Sequence, residues 1–387
     1  MDLARYLPKS AEELAAFIKE AAGDFRSLSI AGNSSKDYMA GPRVAADLSL
    51  STARLDRVLQ YEPNDLTVSV EAGMSWAALQ TMLARNGQMV ALDPPFASSA
   101  TVGGVVASNA SGALRRNFGT ARDLVIGMQF AMLDGKLVRT GGMVVKNVAG
   151  LDIGKLMIGS FGTLAIITSI NFRLHSLPKE THTFVFSFAD LTSAIEKRDA
   201  VLQSVLRPLS IDYLTPPAAA HLGRRGSVLA IRAAGKRQVL ERYARELSGS
   251  ELLTGSADEA LWGCIREFPA DFLRANPDGV VLRVSTTLRD VSKLLQLVAG
   301  AAVSRVASGV TYVYVNSWSA VDPLWRAAGE NGWAVAVEYA PDEIRQNHTL
   351  WLAPKGQNEA GFAMMKSVKQ IFDPGNLLNR LRLYGRI

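Results

Sequence analysis

The spacing of apolar residues in the first part of the chain changes between a helical period and the two-residue period of strands. Residues 11–23, AEELAAFIKEAAG, repeat apolar positions every three or four residues and predict an amphipathic helix. Ser10 precedes this run and Glu13 lies three positions further on, which is the spacing of a capping box. Short strands are predicted where β-branched or alternating runs occur, at 28–30, 48–50, 58–59 and 66–70.

A second helix and a hairpin complete the elements predicted for this part. The helix begins after Ser75, and one of its faces carries Trp76, Leu79, Met82 and Leu83. We interpret this stripe as buried core, because large apolar side chains at helical spacing usually pack inside a protein. Further along, Asp134-Gly135 separates two apolar runs and predicts a hairpin turn.

Past His175 glycine becomes rarer, and strand and helix patterns follow one another. Strands are predicted at 183–188, 209–214, 227–232, 280–285, 311–315 and 333–337. Helices are predicted at 191–205, 236–248, 291–299 and 359–371. The β-α-β-β-α order at the start of this part predicts a ferredoxin-like cap on a sheet. No internal repeat is visible in the sequence.

The segment between these parts, Thr101 to Ile167, is dense in Gly, Ala, Ser and Asn. Glycine has no Cβ and lets backbone N–H groups approach a ligand closely, and successive N–H groups form a concave anion site. Gly103-Gly104 stand ahead of the small-residue run VVASNASG, where a helix N-terminus could meet a diphosphate. The segment therefore predicts a binding surface for a large phosphate-bearing ligand.

An earlier turn has the same character. The residues AGNSSK, from Ala31 to Lys36, follow the strand predicted at 28–30. A strand thus leads into a tight turn of small residues and then to a basic residue. This pattern fits either a phosphate-binding loop or an ordinary β-turn, and spacing alone does not separate the two.

Composition narrows the function classes only a little. The 387 residues suffice for two domains, and 48% hydrophobic with 20% charged residues is an ordinary globular balance. The net charge of +6 fits an ordinary solvated surface, with an acidic partner, an anionic membrane face and steering of an anionic substrate as alternatives. Because the basic residues form no block, nucleic-acid binding is not expected.

Cys264 is the only cysteine, which excludes an internal disulfide, a cysteine-ligated zinc site and a resident iron–sulfur cluster. The N-terminal residues lack the apolar core of a signal peptide, and no apolar run reaches the ~20 residues that cross a bilayer. We therefore expect a cytoplasmic protein without a transmembrane segment, with peripheral attachment to the inner membrane through partners left open.

The central segment carries several glycine motifs in a fixed order. They are TVGG from Thr101, Gly112 with Arg115-Arg116, Gly119 with Arg122-Asp123 and Gly127, KNVAGLD from Lys146, and GSFGTL from Gly159. Together they resemble the FAD-binding domain of the vanillyl-alcohol oxidase/p-cresol methylhydroxylase (PCMH-type) superfamily, and within it the E-subunit family of bacterial glycolate oxidases.

The resemblance implies an α+β fold in three parts. A two-part PCMH-type FAD-binding domain is expected over residues 1–177, and a ferredoxin-like α+β substrate or cap domain over residues 178–370. A C-terminal tail, residues 371–387, is expected to return to the FAD-binding domain. In this tail Asn379 matches the family's closing element, whereas Arg380-Leu381 replace the usual Pro-Gly, and Arg382 stands where the family has its arginine.

The resemblance also implies which residues hold FAD. Its first pyrophosphate loop corresponds to residues 31–35, where Ala31 and Asn33 replace the usual glycines, and Asn33 can adopt a left-handed conformation. No histidine lies in this loop, so we expect non-covalent FAD. The implied FAD-binding residues are Ala31, Gly32, Asn33, Ser34, Ser35, Pro94, Thr101, Gly103, Gly104, Ser108, Gly112, Arg116, Gly119, Arg122, Asp123, Lys146, Asn147, Val148, Gly150, Asp152, Gly162, Ile166 and Asn379.

Oxidation of a 2-hydroxy acid needs a carboxylate anchor and a base for the hydroxyl proton. Arginine grips a carboxylate with two hydrogen bonds, so Arg266 and Arg283 are candidate anchors, with a surface or packing role as the alternative. His348 is a further candidate, with a structural role as the alternative. The sequence assigns no base. Motifs for a metal site, for NAD and for ATP are missing, so no metal is expected.

The leading interpretation is an FAD-binding subunit of a glycolate oxidase (glycolate dehydrogenase) complex, which oxidises glycolate or a related small 2-hydroxy acid to the 2-oxo acid. The implied partners are the flavin-containing D subunit and the iron–sulfur F subunit, which receives the electrons. Two alternatives stay open: a non-catalytic FAD-binding or electron-storage subunit, and a stand-alone flavin oxidase of another alcohol or hydroxy acid.

Overall fold

The structure, a computed structural model, describes residues 5–143, 152–354 and 358–387. Within these ranges the strands form sheets of three, two, five and nine strands, with helices packed on their faces. The sheets are mostly antiparallel and the helices do not alternate regularly with the strands. The α+β fold class predicted from the sequence is confirmed.

The smaller sheets come from residues 5–176. Their elements are β1 (Arg5–Tyr6), α1 (Ala11–Gly23), β2 (Leu28–Ala31), β3 (Leu48–Ser51), β4 (Val58–Glu62), β5 (Thr67–Glu71), α2 (Trp76–Ala84), β6 (Gln88–Met89), α3 (Val102–Ala107), α4 (Arg115–Phe118), α5 (Ala121–Leu124), β7 (Val125–Ala131), β8 (Leu137–Gly141), α6 (Gly154–Met157), β9 (Ile166–Arg173) and β10 (His175–Ser176). Strands β1, β3 and β2 pair in parallel, and the five-stranded antiparallel sheet has the order β4-β5-β9-β7-β8.

The first two helices form where the apolar period predicted them. Helix α1 buries Leu14 and Ile18, and Ser10 Oγ accepts a hydrogen bond from the N–H of Glu13 at 3.1 Å. The second half of the predicted capping box is wrong: the Glu13 carboxylate accepts from Lys9 N–H and from Tyr6 Oη instead. The side chain of Glu13 therefore ties the helix to β1 rather than to its own N-cap.

The nine-stranded sheet comes from residues 181–352. The elements from there to the tail are β11 (Thr181–Phe188), α7 (Leu191–Gln203), β12 (Ser210–Leu214), α8 (Pro216–His221), β13 (Ser227–Ala234), α9 (Arg237–Glu246), β14 (Glu251–Thr254), α10 (Ser256–Ala275), β15 (Val280–Ser285), α11 (Val291–Leu297), β16 (Ala301–Arg305), β17 (Val310–Val315), α12 (Asp322–Asn331), β18 (Ala334–Tyr339), α13 (Asp342–Asn347), β19 (Trp351–Leu352) and α14 (Asn358–Phe372).

This sheet contains two units of the same topology. Strands β11, β12, β13 and β14 lie in the order β14-β11-β13-β12, and β15, β16, β17 and β18 lie in the order β16-β17-β15-β18. In each unit a helix follows the first strand and another follows the third, which is the ferredoxin-like arrangement. The units join through the pairing of β12 with β16. The predicted ferredoxin-like cap is thus doubled, a repeat that the sequence did not reveal.

Helix α10 was not predicted as an element. It has no side-chain cap, begins after Gly255, whose φ is 54°, and contains Pro269, so the usual start signal is missing and a helix breaker interrupts the pattern. Its apolar face packs Trp262 and Phe268 into the core. Tertiary packing therefore stabilises a helix for which the local sequence offers weak signals.

The C-terminal tail lies against the first sheet. Leu28 N–H donates to Leu377 O at 2.8 Å, and Asn379 N–H donates to Leu28 O at 3.0 Å. Below this contact the ammonium of Lys369 is buried and donates to the Asp373 carboxylate and to Thr163 O at 2.7 Å. The tail thus acts as an additional edge partner of β2, while the domain limits at residues 177 and 370 stay predictions.

Candidate cofactor and substrate site

Four separate segments meet around one cavity, which we call the loop cavity. They are the turn after β2, the start of α3, the turn that leads into β9, and the C-terminal tail. The predicted FAD-binding residues on its wall are Ala31, Gly32, Asn33, Ser34, Ser35, Thr101, Gly103, Gly104, Ser108, Gly162, Ile166 and Asn379. Segments that are far apart in sequence therefore share one concave surface.

Gly32 allows the first turn to lie directly against α3. A Cβ at Gly32 would lie 2.2 Å from Thr101 Oγ1, which is far inside contact distance. That same hydroxyl caps α3 by accepting a hydrogen bond from Gly104 N–H at 3.2 Å. A larger residue at position 32 would therefore displace the cap of the helix that faces the cavity.

The left-handed residue of this turn is Ser34, with a φ of 58°. The sequence allowed that conformation at Asn33, but Asn33 has no positive φ in the structure. A hydrogen bond from Asp37 N–H to Ser34 O at 3.2 Å closes the turn. The backbone therefore reverses at Ser34, two residues before Lys36.

Lys36 places a buried positive charge on the wall of the loop cavity. Its ammonium is buried and has no hydrogen-bond partner among the residues that the structure describes. Burial lowers the pKa of Lys36 to about 8, although the charges of Glu267 and Glu338 act in the opposite direction. An unpartnered buried ammonium is costly, so this position suits an anionic ligand that would hydrogen-bond to it.

Arg382 adds a second positive charge to the same wall. Its guanidinium donates to the carbonyl oxygens of Gly41 at 2.7 Å and of Asp37 and Lys36 at 3.1 Å each. Burial lowers the pKa of Arg382 to about 10. The three partners are neutral carbonyl oxygens, so these hydrogen bonds do not compensate the positive charge of Arg382. The same hydrogen bonds hold the turn that contains Lys36.

Asn379 fixes the tail to the cavity through all of its side-chain polar atoms. Its Oδ1 accepts from Ile30 N–H at 2.7 Å, and its Nδ2 donates to Phe161 O at 2.7 Å and to Ile30 O at 3.1 Å. The amide is therefore used in joining β2 to the turn before β9, so what Asn379 offers the cavity is mainly its position.

Several predicted FAD-binding residues lie away from the loop cavity. Arg116 donates to Ala307 O at 3.0 Å and so links α4 to the nine-stranded sheet. Gly119 packs against Asp123, whose carboxylate accepts from Thr120 N–H at 2.8 Å and caps α5. The others are Pro94, which is buried, Gly112, which packs on Asp93, and Arg122 and Asp152, which are exposed. Their predicted contact with FAD stays a prediction. Lys146, Asn147, Val148 and Gly150 lie outside the described residues.

A second cavity, which we call the cap cavity, adjoins the loop cavity through Ser108 and Phe161 and encloses about 490 Å³. Its polar wall contains Arg283, whose Nε donates to Glu338 Oε2 at 2.9 Å. Tyr384 from the tail lies beside this pair, with its hydroxyl 3.5 Å from Arg283 Nη2. Burial raises the pKa of Tyr384 above its ordinary value, so the hydroxyl is kept protonated.

Of the three candidate catalytic residues, the structure brings only Arg283 to the cap cavity. Arg266 pairs with Glu267 at 2.9 Å, outside both cavities. His348 stacks on Trp318 with 4.1 Å between ring centroids, near the outer edge of the nine-stranded sheet. The stacking fits the structural alternative for His348, since this imidazole packs on an indole and lines neither the loop cavity nor the cap cavity.

Sequence reasoning left several polar residues of the two cavities out of the candidate site. Lys36, Arg115 and Arg382 were noticed in their motifs but were not proposed as site residues, and Glu338 was not singled out. The basic residue after the first turn was the available signal for Lys36. No local pattern indicated Glu338, because strand β18 reads as an ordinary buried strand and pairs with Arg283 only through the sheet.

The described residues also bear on metals and membranes. In the three described ranges no group of three or more His, Cys, Asp and Glu side chains is placed to hold a metal ion. Over the same ranges, none of the helices has the length and apolar character to cross a bilayer.

Comparison with known proteins places these cavities in context. Residues 3–141 match the family model described as FAD binding domain. The glycolate oxidase subunit GlcE of Escherichia coli is 29% identical over 69% of this chain and 71% of its own length. The glycolate oxidase subunit GlcD of Bacillus subtilis is 22% identical over 88% of this chain and 80% of its own length.

Solved structures show the same fold. A 4-ethylphenol oxidase from Gulosibacter chungangensis superposes with a TM-score of 0.73 at 15% identity, covering 98% of this chain and 88% of that one. A p-cresol methylhydroxylase structure gives a TM-score of 0.73 at 13% identity, with the same coverage of 98% and 88%. At these identities the likeness concerns the arrangement of the chain alone.

Proposed function

We propose that this chain, an FAD-dependent oxidoreductase with the fold of the PCMH-type flavoproteins, is the FAD-binding subunit of a glycolate oxidase complex. It oxidises glycolate or a related small 2-hydroxy acid to the 2-oxo acid. Its partners are a second flavin subunit and an iron–sulfur subunit that receives the electrons. The similarity to the subunit GlcE over 69% of this chain supports this assignment. Within a cell we place the complex in the cytoplasm, with any contact to the inner membrane made through the partners.

The observation that carries the proposal is the loop cavity. FAD needs small residues beside its diphosphate and cations to balance its charge, and both are present on this wall. Gly32 and Thr101 bring two turns into contact, and the Lys36 ammonium is buried there without a hydrogen-bond partner among the described residues. The residues therefore fit a bound dinucleotide. When bound, FAD supplies an acceptor for the hydride that leaves the hydroxyl-bearing carbon.

The chain's own residues would bind and orient the reactants. Lys36 and Arg382 hold the diphosphate end, Ser108 and Phe161 lie at the passage between the two cavities, and the cap cavity receives the acid. Beside Arg283, the Tyr384 hydroxyl can donate a hydrogen bond to the acid and the Glu338 carboxylate can accept one. Helix α14 and the tail line one side of this space.

The test is the visible spectrum of the purified chain, before and after acid precipitation, followed by anaerobic addition of glycolate. A flavin spectrum that acid releases and glycolate bleaches is expected. Flavin that stays oxidised with glycolate in this chain alone, but is reduced when the partner subunits are added, would favour the non-catalytic subunit. No flavin after reconstitution with FAD would overturn the proposal.

A further inference from the structure

Arg115 is an unused cation on the wall of the cap cavity. Its side chain is half-buried, lines the cavity, and makes no hydrogen bond or ion pair with any residue that the structure describes. The neighbouring Arg116 differs, because its guanidinium donates to Ala307 O and so links two parts of the fold. The hydrogen bond to Ala307 gives Arg116 a structural role, whereas no such contact gives one to Arg115 among the described residues.

The other cations of this cavity are already engaged. Arg283 pairs with Glu338, with Nε and Oε2 2.9 Å apart. Lys155 Nζ donates to the carbonyl oxygens of Arg122 at 2.6 Å and Val125 at 2.7 Å, and lies 3.7 Å from an Asp152 carboxylate oxygen. Within the described part of the chain, Arg115 is thus the cation of the cap cavity with a free guanidinium fork, which matches the geometry of a carboxylate.

The rest of the wall limits how many carboxylates can enter. Met39, Leu164 and Met364 contribute apolar surface, and Glu338 contributes a carboxylate whose side chain is only 11% exposed. A second carboxylate on the ligand would lose its hydration in this cavity and would find no free cation among the described residues, because Glu338 already neutralises Arg283. The cavity therefore suits one carboxylate attached to a small, partly apolar body.

We propose that Arg115 binds the carboxylate of the substrate in the cap cavity, and that this cavity selects 2-hydroxy monocarboxylic acids over dicarboxylic ones. The proposal deepens the proposed function and rests on it. Arg115 acts as the anchor, and the Arg283–Glu338 pair leaves no second cation for another carboxylate.

The experiment is isothermal titration calorimetry of the FAD-loaded 387-residue chain with acids that cannot be oxidised. The first probe is 2-hydroxyisobutyrate, which has no hydrogen on its hydroxyl-bearing carbon. The second is its neutral amide, and the third is citramalate, a dicarboxylate with the same protected carbon. The variants are Arg115→Met and Arg115→Lys, with Arg225→Met as a control that removes an equal charge from an exposed position away from both cavities.

We expect Arg115→Met to weaken binding of 2-hydroxyisobutyrate by about tenfold or more, since a charge-assisted pair is lost. Arg115→Lys should fall in between, Arg225→Met should bind like the parent chain, and the amide should bind weakly to all of them. Citramalate should bind the parent chain at least about tenfold more weakly than 2-hydroxyisobutyrate, because its second carboxylate loses its hydration without gaining a cation.

Three results would overturn the proposal. One is equal binding of 2-hydroxyisobutyrate by the parent chain and Arg115→Met, or no binding by either. Another is a loss of FAD affinity in Arg115→Met while the reloaded variant still binds the acid normally, which would place Arg115 against the flavin. The third is citramalate binding as tightly as 2-hydroxyisobutyrate. Failure of the parent chain to take up FAD is different, because it strikes the proposed function itself.

Discussion

Single residues determine the electrostatics of this site, and Lys36 illustrates how. The ordinary pKa of a lysine is 10.5, and burial lowers that of Lys36 to about 8. Between these pH values the unfolded chain holds a proton that the folded apoprotein releases, so the stability of the apoprotein rises with pH across this window. Below pH 8 the folded apoprotein carries the full cost of a buried charge. A bound anion would remove that cost.

We therefore predict opposite effects of Lys36→Met on stability and on cofactor affinity. At pH 7 the variant apoprotein should be more stable than the parent by about 1 to 3 kcal/mol, because the buried charge is gone. Its FAD affinity should fall by about tenfold or more, because a charge-assisted hydrogen bond is lost. Thermal denaturation of the apoproteins and fluorescence titration with FAD measure the two effects.

The pH dependence completes this prediction. FAD affinity of the parent chain should decrease as the pH rises through about 8 and beyond, since binding then requires uptake of a proton by Lys36. Lys36→Met should show no such decrease, and the exposed Lys179→Met should behave like the parent. A variant that loses stability and keeps its FAD affinity would show that Lys36 has a packing role only.

At the scale of elements, helix α14 and the tail are held by one buried ion pair. Lys369 and Asp373 lie one helical turn apart, and both side chains are almost fully buried. The Asp373 carboxylate also accepts from Leu377 N–H and Leu378 N–H at 2.8 Å each, and so shapes the turn that follows the helix. The tail then pairs with β2, next to the loop cavity.

Replacement of Asp373 by Ala should destabilise the packing of helix α14 and the tail. It leaves the Lys369 ammonium buried without its carboxylate, which typically costs about 3 to 5 kcal/mol. Urea denaturation should show that loss, and FAD should bind more weakly because Asn379 is no longer held against Ile30. The double variant Lys369→Met, Asp373→Ala should recover part of the stability, since no charge is then left unpaired. A stability unchanged by Asp373→Ala would contradict this account.

Local sequence patterns predicted some elements of this fold and missed others. Helix α1 and the hairpin β7–β8 formed as predicted, because amphipathic spacing and an Asp-Gly turn act within a few residues. Helix α10 was missed, because its start lacks a cap and Pro269 interrupts it, yet Trp262 donates to Thr183 Oγ1 at 2.7 Å across the sheet. Burial against β11 stabilises this helix, and no local pattern contains that contact.

At the scale of the whole molecule, the loops and the nine-stranded sheet are joined by hydrogen bonds around the two cavities. The Glu267 carboxylate accepts from Phe96 N–H at 2.7 Å, and Arg116 donates to Ala307 O. Arg345, which is fully buried, donates to Gly41 O at 2.6 Å. These contacts connect the parts of the chain on which the cavities depend.

We therefore predict that the chain unfolds in a single cooperative thermal transition that FAD shifts as a whole. The shift follows from binding to the folded state alone and amounts to about 2.7 kcal/mol when FAD is present at 100 times its dissociation constant. Differential scanning calorimetry at increasing FAD concentrations measures it. Two separate transitions, of which FAD moves only one, would mean that the connecting hydrogen bonds are too weak to couple the two parts.

The sequence by itself determined the class of fold, the order of most elements and the small-residue composition of the turns that line the loop cavity. These properties depend on periodicity and on backbone freedom within short segments, which are local. Gly32 and Thr101 belong to this group, since each stands in a motif whose composition already indicates a close approach to a ligand.

Only the tertiary structure decided which charged residues lie on the cavity walls and which of them pair with each other. It separated Arg115, which faces the cap cavity, from Arg116, which holds the fold together. It paired Arg283 with Glu338 through adjacent strands and left the ammonium of Lys36 buried in the loop cavity. Burial and charge pairing depend on residues distant in the chain, so no spacing in the sequence could have shown them.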